Sequence, residues 1–154
     1  MVSEIQALLT DINDEYTFAY EESAMMNIKV DEYKKYADVI DPDTNEVIGQ
    51  KIASFVYLEE FTNGRLVKEG YHNVRVQKCQ LYFCKFADFH CDASQRETLR
   101  DLMFDEIIYQ FWDAIQHLPM INAKTMTYIT PLPRFDANEV SVMVEFEYKT
   151  QILC

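Results

Sequence analysis

Apolar and polar positions along this 154-residue chain change period several times, and each change predicts an element. In "SEIQALLTDI" the residues Ile5, Leu8, Leu9 and Ile12 recur at intervals of three, one and three behind Ser3, a favourable N-cap. A short amphipathic helix is therefore expected to open the chain. Residues 15–36, "EYTFAYEESAMMNIKVDEYKKY", begin with a strand-like alternation of Tyr16, Phe18 and Tyr20, but the methionines that follow suit either state. The stretch is read as an extended arm. Residues 38–51, "DVIDPDTNEVIGQK", bring Asp-Pro, Asp-Thr-Asn and Gly together with little to bury, the pattern of an exposed loop or hairpin tip.

The middle of the chain is rich in β-branched and aromatic residues. "ASFVYLEEF", the pair Asn63-Gly64 with its tolerance of positive φ, and the returning "RLVKEG" predict a hairpin with a tight turn. "NVRVQKCQLYFCKFAD" alternates at first, then places apolar residues on both parities from Leu81 to Ala87, as in a central strand covered on two faces. Ser94 and Glu97 form a capping-box pattern. Behind it Leu99, Leu102, Met103, Ile107, Ile108, Phe111, Trp112, Ile115 and Leu118 keep helical spacing until Pro119. A stripe that wide has to press against a sheet or a partner. "TMTYIT" then reads as a short strand, "PLPRFDANE" as a turn-rich bridge and "VSVMVEFEYKTQIL" as a long strand. Its residues Val140, Val142, Val144, Phe146 and Tyr148 face a core, and Ser141, Glu145, Glu147 and Lys149 face water. Together these elements predict a single α+β domain over residues 1–154. Its core would be a mostly antiparallel sheet of four to five strands, with the N-terminal helix and the one long helix packed on one face.

Composition narrows the class. A hydrophobic share of 49% with 14% aromatics belongs to a folded protein, and the chain is long enough for one sizeable core. No apolar run is long enough to cross a bilayer, so no membrane partner is expected. The opening "MVSEIQALLTDIND" carries acids where a secretory signal carries bases, which predicts a protein made and kept inside a cell. Charge is uneven: residues 1–60 hold four basic side chains against fourteen acidic ones, and so carry nearly all of the net charge of −12. Phosphate backbones would repel such a surface, and specific nucleic-acid binding is not expected.

Candidate chemistry is sparse. "KCQLYFCKFADFHC", residues 78–91, holds three cysteines and a histidine, but in a strand Cys79 and Cys84 differ by an odd number and project from opposite faces. His90 and Cys91 lie beyond that strand, and the spacing matches none of the usual zinc patterns. Buried, reduced thiols are expected, and no metal; a Cys84–Cys91 disulfide would need an oxidising setting. Cys154 ends the chain with nothing nearby in sequence to lower its pKa. His72, His90 and His117 fall in different elements. The acid pairs Glu21-Glu22, Asp31-Glu32 and Glu59-Glu60 are merely adjacent, and Asp101 and Asp105 share the polar side of the helix with Arg100. With glycine only at positions 49, 64 and 70, a phosphate-cradling loop is excluded. No catalytic, cofactor-binding or metal residue is assigned, no cofactor is expected, and the chain reads as a non-enzyme.

The segments "FAYEESAMMNIKVDE", "FVYLEEF" and "PRFDANEVSVMVEFEYKTQIL" occur in an order that resembles the tail terminator (tail completion) and neck proteins of long-tailed bacteriophages. The likeness spans most of the chain in order, carries no single diagnostic motif, and departs at residues 38–51, which look like an insertion relative to the most compact members. It implies a virion structural protein made in the cytoplasm of a bacterial host, self-assembling into a homo-oligomeric ring and docking on tail-tube and neck or head-completion proteins. The aromatic residues Tyr57, Phe61, Tyr71, Tyr82, Phe83 and Phe86 either fill the core or supply surface for such contacts. Two other classes fit parts of the sequence: an acidic DNA mimic that inhibits a nucleic-acid enzyme, which the charge of residues 1–60 suits, and a small metal-binding domain around His90 and Cys91.

Overall fold

The computed structural model describes residues 1–60, 63–87, 91–121, 126–131 and 139–152. Helix α1 (Val2–Ile12) leads into strand β1 (Tyr16–Glu21), helix α2 (Ser23–Glu32), the strands β2 (Tyr36–Ile40) and β3 (Val47–Ile52), then β4 (Ser54–Glu59), β5 (Gly64–Glu69) and β6 (His72–Phe86). A continuous helical stretch follows: α3 (Ala93–Met103), a π turn (Phe104–Ile108) and α4 (Tyr109–Ile115). Strands β7 (Thr127–Ile129) and β8 (Glu139–Ile152) complete the order. Among the described residues the main sheet has six strands, rather than the four to five expected, in the order β1-β4-β6-β8-β7, with β5 also on β6, while β2 and β3 form a separate two-stranded sheet. The expected α+β architecture holds. No helix among the described residues is long and apolar enough to cross a membrane.

The strand period decides which side chain meets which layer. On β6 the odd positions Cys79, Leu81 and Phe83 join Val56 and Leu58 of β4 and the even positions of β8 from Val140 to Tyr148 in one buried cluster, capped by Ile5 and Leu9 of α1 and by Met103, Ile107, Ile108, Phe111 and Ile115. The N-terminal and long helices thus share one face, as the sequence predicts. Phe111 anchors that layer, with its ring edge-on to Phe83 at 5.9 Å and to Phe146 at 5.8 Å. The even positions Tyr82, Cys84 and Phe86 join Phe55, Tyr57 and Met143 beneath Met26 and Val30 of α2. Burial of Leu81–Phe86 on both parities follows from helices on both faces.

Several expectations are corrected. Residues 15–36 are a strand and a helix rather than an extended arm; β1 runs parallel to β4, and a parallel neighbour requires a crossover, which α2 and the β2–β3 ribbon provide. Asn63-Gly64 is not a tight turn between paired strands. Strands β4 and β5 lie end to end on the same edge of β6, and the chain reverses instead at Gly70 (φ 63) and Tyr71. A Cβ on Gly64 would stand 3.0 Å from the Val76 carbonyl oxygen, so this glycine permits close strand approach where β5 begins. The α1 N-cap is Met1 rather than Ser3, whose hydroxyl instead donates to Glu4. The α3 capping box is Asp92 with Gln95, two residues before the expected pair: the Gln95 amide donates to Asp92 Oδ1 and the Asp92 amide donates to Gln95 Oε1, both at 2.8 Å. On β8 the face expected to be wet is buried over Glu139, Ser141 and Met143, where the second core cluster extends, and is only partly open from Glu145 onward. The bridge at 132–138 lies outside the described residues.

Candidate functional site

Among the described residues, those singled out for chemistry do not gather at one place. Cys79 is buried in the first core cluster and Cys84 in the second, on opposite faces of β6; Cys91 is half-buried beyond the strand. Burial pushes the Cys79 thiol up to about 12. His72 and His117 are exposed on separate elements, and His90 and Cys154 lie outside the described residues, as does Phe61. Asp101 and Asp105 are exposed. Glu21 is held by Lys29 at 2.5 Å. Among the described residues no group of three or more His, Cys, Asp and Glu side chains gathers where an ion would sit. Of the aromatic residues, Tyr57, Tyr82, Phe83 and Phe86 are core, Tyr57 stacking on Tyr82 with centroids 4.6 Å apart, whereas Tyr71 is 98% exposed.

One polar cluster was missed by the sequence reading. Lys85 sits near the end of β6 with 7% of its side chain exposed; its Nζ donates to Ser54 Oγ at 2.9 Å, pairs with Glu106 Oε2 at 2.9 Å and lies 5.4 Å from the centre of the Tyr16 ring. The Tyr16 hydroxyl donates to the same Glu106 oxygen at 2.8 Å. Burial, then the Glu106 carboxylate, pushes the Tyr16 hydroxyl far up, so it remains a proton donor. Glu106 lies within the π turn, where the Tyr109 amide reaches the Phe104 carbonyl, and the extra residue in that turn resets the phase of the side chains along the helix. The signal was present in sequence: Lys85 is a cation within the run Leu81–Ala87, which is otherwise apolar on both parities, and such a charge has to be paired. The cluster ties β1, β4, β6 and the long helix together. With Ser54, Glu106 and the Tyr16 ring around Lys85, the cluster acts as a structural staple.

The second feature is a projecting arm. Among the described residues strands β2 and β3 pair only with each other, from Tyr36↔Ile52 to Ile40↔Val47, with a register shift between Val39 and Ile40. The free end is closed by local hydrogen bonds: the Asn45 amide donates to the Asp41 carbonyl at 2.8 Å, the Asp43 amide to Asp41 Oδ1 at 2.9 Å, and Asn45 takes φ 59. At the root, Lys51 Nζ reaches both Glu15 oxygens at 2.7 Å and the Ala53 amide donates to the Lys35 carbonyl at 2.9 Å. A cleft of ≈ 380 Å³ opens there between the end of α2 and the ribbon, lined by Glu15, Glu32, Tyr33, Tyr36, Asp38 and Ser54 among others. Beyond the root the ribbon is exposed on Tyr36, Ile40, Val47 and Ile48, the last at 64%. Isolated two-stranded ribbons are marginal in water, and exposed β-branched residues together with unpaired strand edges are what a binding partner covers.

No protein-family model matches the sequence, and no curated protein matches it.

Proposed function

We propose that this chain is a non-enzymatic virion structural protein, a tail terminator or head–tail connection subunit of a long-tailed phage. On this reading it self-assembles into a ring and docks on tail-tube and neck or head-completion proteins. The observation that carries the reading is the β2–β3 ribbon: a rooted arm that displays Ile40, Val47 and Ile48 to solvent and pairs with no other strand among the described residues. The order of the sequence segments that resemble such proteins supports it, and so does the pairing of Lys85 with Glu106 and Tyr16, which accounts for that buried cation as part of the packing. The acidic surface of residues 1–60 suits a lumen through which DNA passes without adhering. Negative-stain imaging and native mass spectrometry of the purified protein test the proposal; rings are expected, and a monomer at every concentration would overturn it.

The distribution of acids favours one further reading, an acidic mimic that occupies the basic groove of a nucleic-acid enzyme. A pull-down that recovers such an enzyme at low salt and loses it steeply as salt rises would favour that reading over a ring.

A further inference from the structure

The arm and its receptor can be matched on charge and position. The ribbon is rooted where β4 begins and β6 ends: Ser54 pairs with Lys85, and the Phe86 amide donates to the Ala53 carbonyl. The β5–β6 turn lies at the opposite end of β6, fifteen residues and about 45 Å away along the strand. These two poles carry opposite charge. Residues 36–52 hold Asp38, Asp41, Asp43 and Glu46 against Lys51, a net of −3, whereas residues 64–78 hold Arg65, Lys68, Arg75 and Lys78 against Glu69, and with Glu145, Glu147 and Lys149 of the adjoining β8 this pole carries a net of +2. A basic pole is notable in a chain whose net charge is −12. Arg65 and Lys78 are engaged by Glu147 and Glu145, but Lys68 and Arg75 are exposed and make no ion pair among the described residues. Between and beside them stand the most exposed apolar side chains of the body, Leu66 at 79%, which sits opposite Arg75 in the register, and Tyr71 at the turn. Each pole therefore offers apolar side chains flanked by charge, and the signs are complementary.

We infer that the β2–β3 ribbon of one copy docks on the β5–β6 pole of the next, with Ile40, Val47 and Ile48 against Leu66 and Tyr71, and Asp43 and Glu46 against Lys68 and Arg75. The inference rests on the self-assembly proposed above and assigns its contact. Because the two surfaces differ and lie at opposite ends, the contact is head-to-tail and repeats from copy to copy. The two-residue reversal at Gly70 and Tyr71 keeps the receiving pole narrow, so the ribbon can approach along the outer edge of β5, which no strand of this chain covers among the described residues.

The test is a charge exchange read by native mass spectrometry and light scattering. Asp43→Lys/Glu46→Lys makes both poles basic, and Lys68→Glu/Arg75→Glu makes both acidic. All four side chains are exposed, and circular dichroism melts should match the wild type. Each variant alone is expected to need at least tenfold more protein to assemble, and an equimolar mixture is expected to recover assembly by alternating the two. A milder Ile48→Ser variant, without charge change, should weaken assembly in the same direction. Wild-type assembly with either charge variant assembling equally well, or with a mixture that stays dissociated, overturns this contact while leaving the ring proposal standing. A wild-type protein that never assembles overturns both.

Discussion

Replacing Glu106 by glutamine should destabilise the protein more than replacing its partner Lys85 by methionine, although both substitutions remove the same ion pair. The Lys85 ammonium is almost fully enclosed, with 7% of its side chain exposed, whereas Glu106 retains 35%. At 2.9 Å the pair has a gross attraction of about 5 to 6 kcal/mol at an effective dielectric near 20, most of which offsets the desolvation of Lys85. Glu106→Gln removes the attraction and leaves the desolvation, so a buried cation faces only Ser54 Oγ, a neutral amide and the Tyr16 ring. A fully buried pair broken in this way loses about 3 to 5 kcal/mol; with Glu106 a third exposed, about 2 to 3 kcal/mol is expected. Lys85→Met removes the enclosed charge together with its desolvation. It leaves Glu106 in contact with water and with the Tyr16 hydroxyl, a loss of about 1 kcal/mol or less.

The assay is a double-mutant cycle by urea denaturation, with thermal melts alongside. In a domain of this size 1 kcal/mol corresponds to about 2 to 4 °C, so Glu106→Gln should lower Tm by about 4 to 12 °C. The double variant should fall close to Lys85→Met alone, giving a coupling energy of about 2 kcal/mol. Additive single effects, or a Lys85→Met protein less stable than Glu106→Gln, would show that Lys85 is effectively solvated and that the staple is a surface pair.

Other substitutions and conditions separate the remaining claims. Thiol labelling near pH 8 followed by peptide mapping should modify Cys91 readily and leave Cys79 and Cys84 protected until the protein unfolds; rapid native labelling of Cys79 would contradict its place in the core. Because the folded-state pKa of Cys79 is raised from 9.0 to about 12, its contribution to stability is complete below about pH 9. It declines as pH rises towards 12, by up to about 1.4 kcal/mol per pH unit, and denaturation midpoints measured from pH 8 to 11 should fall accordingly, less so in a Cys79→Ala background. Gly70→Ala places a side chain at φ 63 and should lose about 1 to 2 kcal/mol, whereas Gly49→Ala, with nothing within 4 Å of the new Cβ, should be neutral or slightly stabilising. Phe111→Ala should lose about 3 to 5 kcal/mol in the same melts, since its ring is fully buried between Phe83 and Phe146.

The parts of the fold legible in the sequence were those where one period runs long enough to outvote local exceptions. The stripe from Leu99 to Ile115 and the alternation from Val140 to Tyr148 located the long helix and the last strand. The mixed parity of Leu81–Phe86 announced a sheet covered twice. Helix α2 was not legible because only Met26 and Val30 of its apolar residues are buried, while Met25 and Ile28 point to solvent and blur the stripe. The β4–β5 junction misled because Asn-Gly favours a turn locally, yet the pairing of both strands with β6 is fixed by long-range packing that no pair of residues encodes. The Lys85 staple joins elements up to 90 positions apart, as with Tyr16 and Glu106. Only the presence of a buried cation, not its partner, was available in advance.

The same separation in sequence bears on assembly. Contacts of a surface with its own symmetry copy end at a dimer, whereas a contact between unlike surfaces continues until rotation closes it. In this chain the acidic ribbon and the basic turn are set at opposite ends of a single rigid strand, β6, which pairs with β8 along all fifteen of its residues except His72. A strand held that completely transmits the position of one pole to the other with little bending. In the proposed assembly the angle between successive copies would then depend on this sheet and on the root that joins the ribbon to it. Such an angle is what a closed ring of fixed size requires, and on the proposed reading an acidic arm set against a basic turn would be the contact that repeats it.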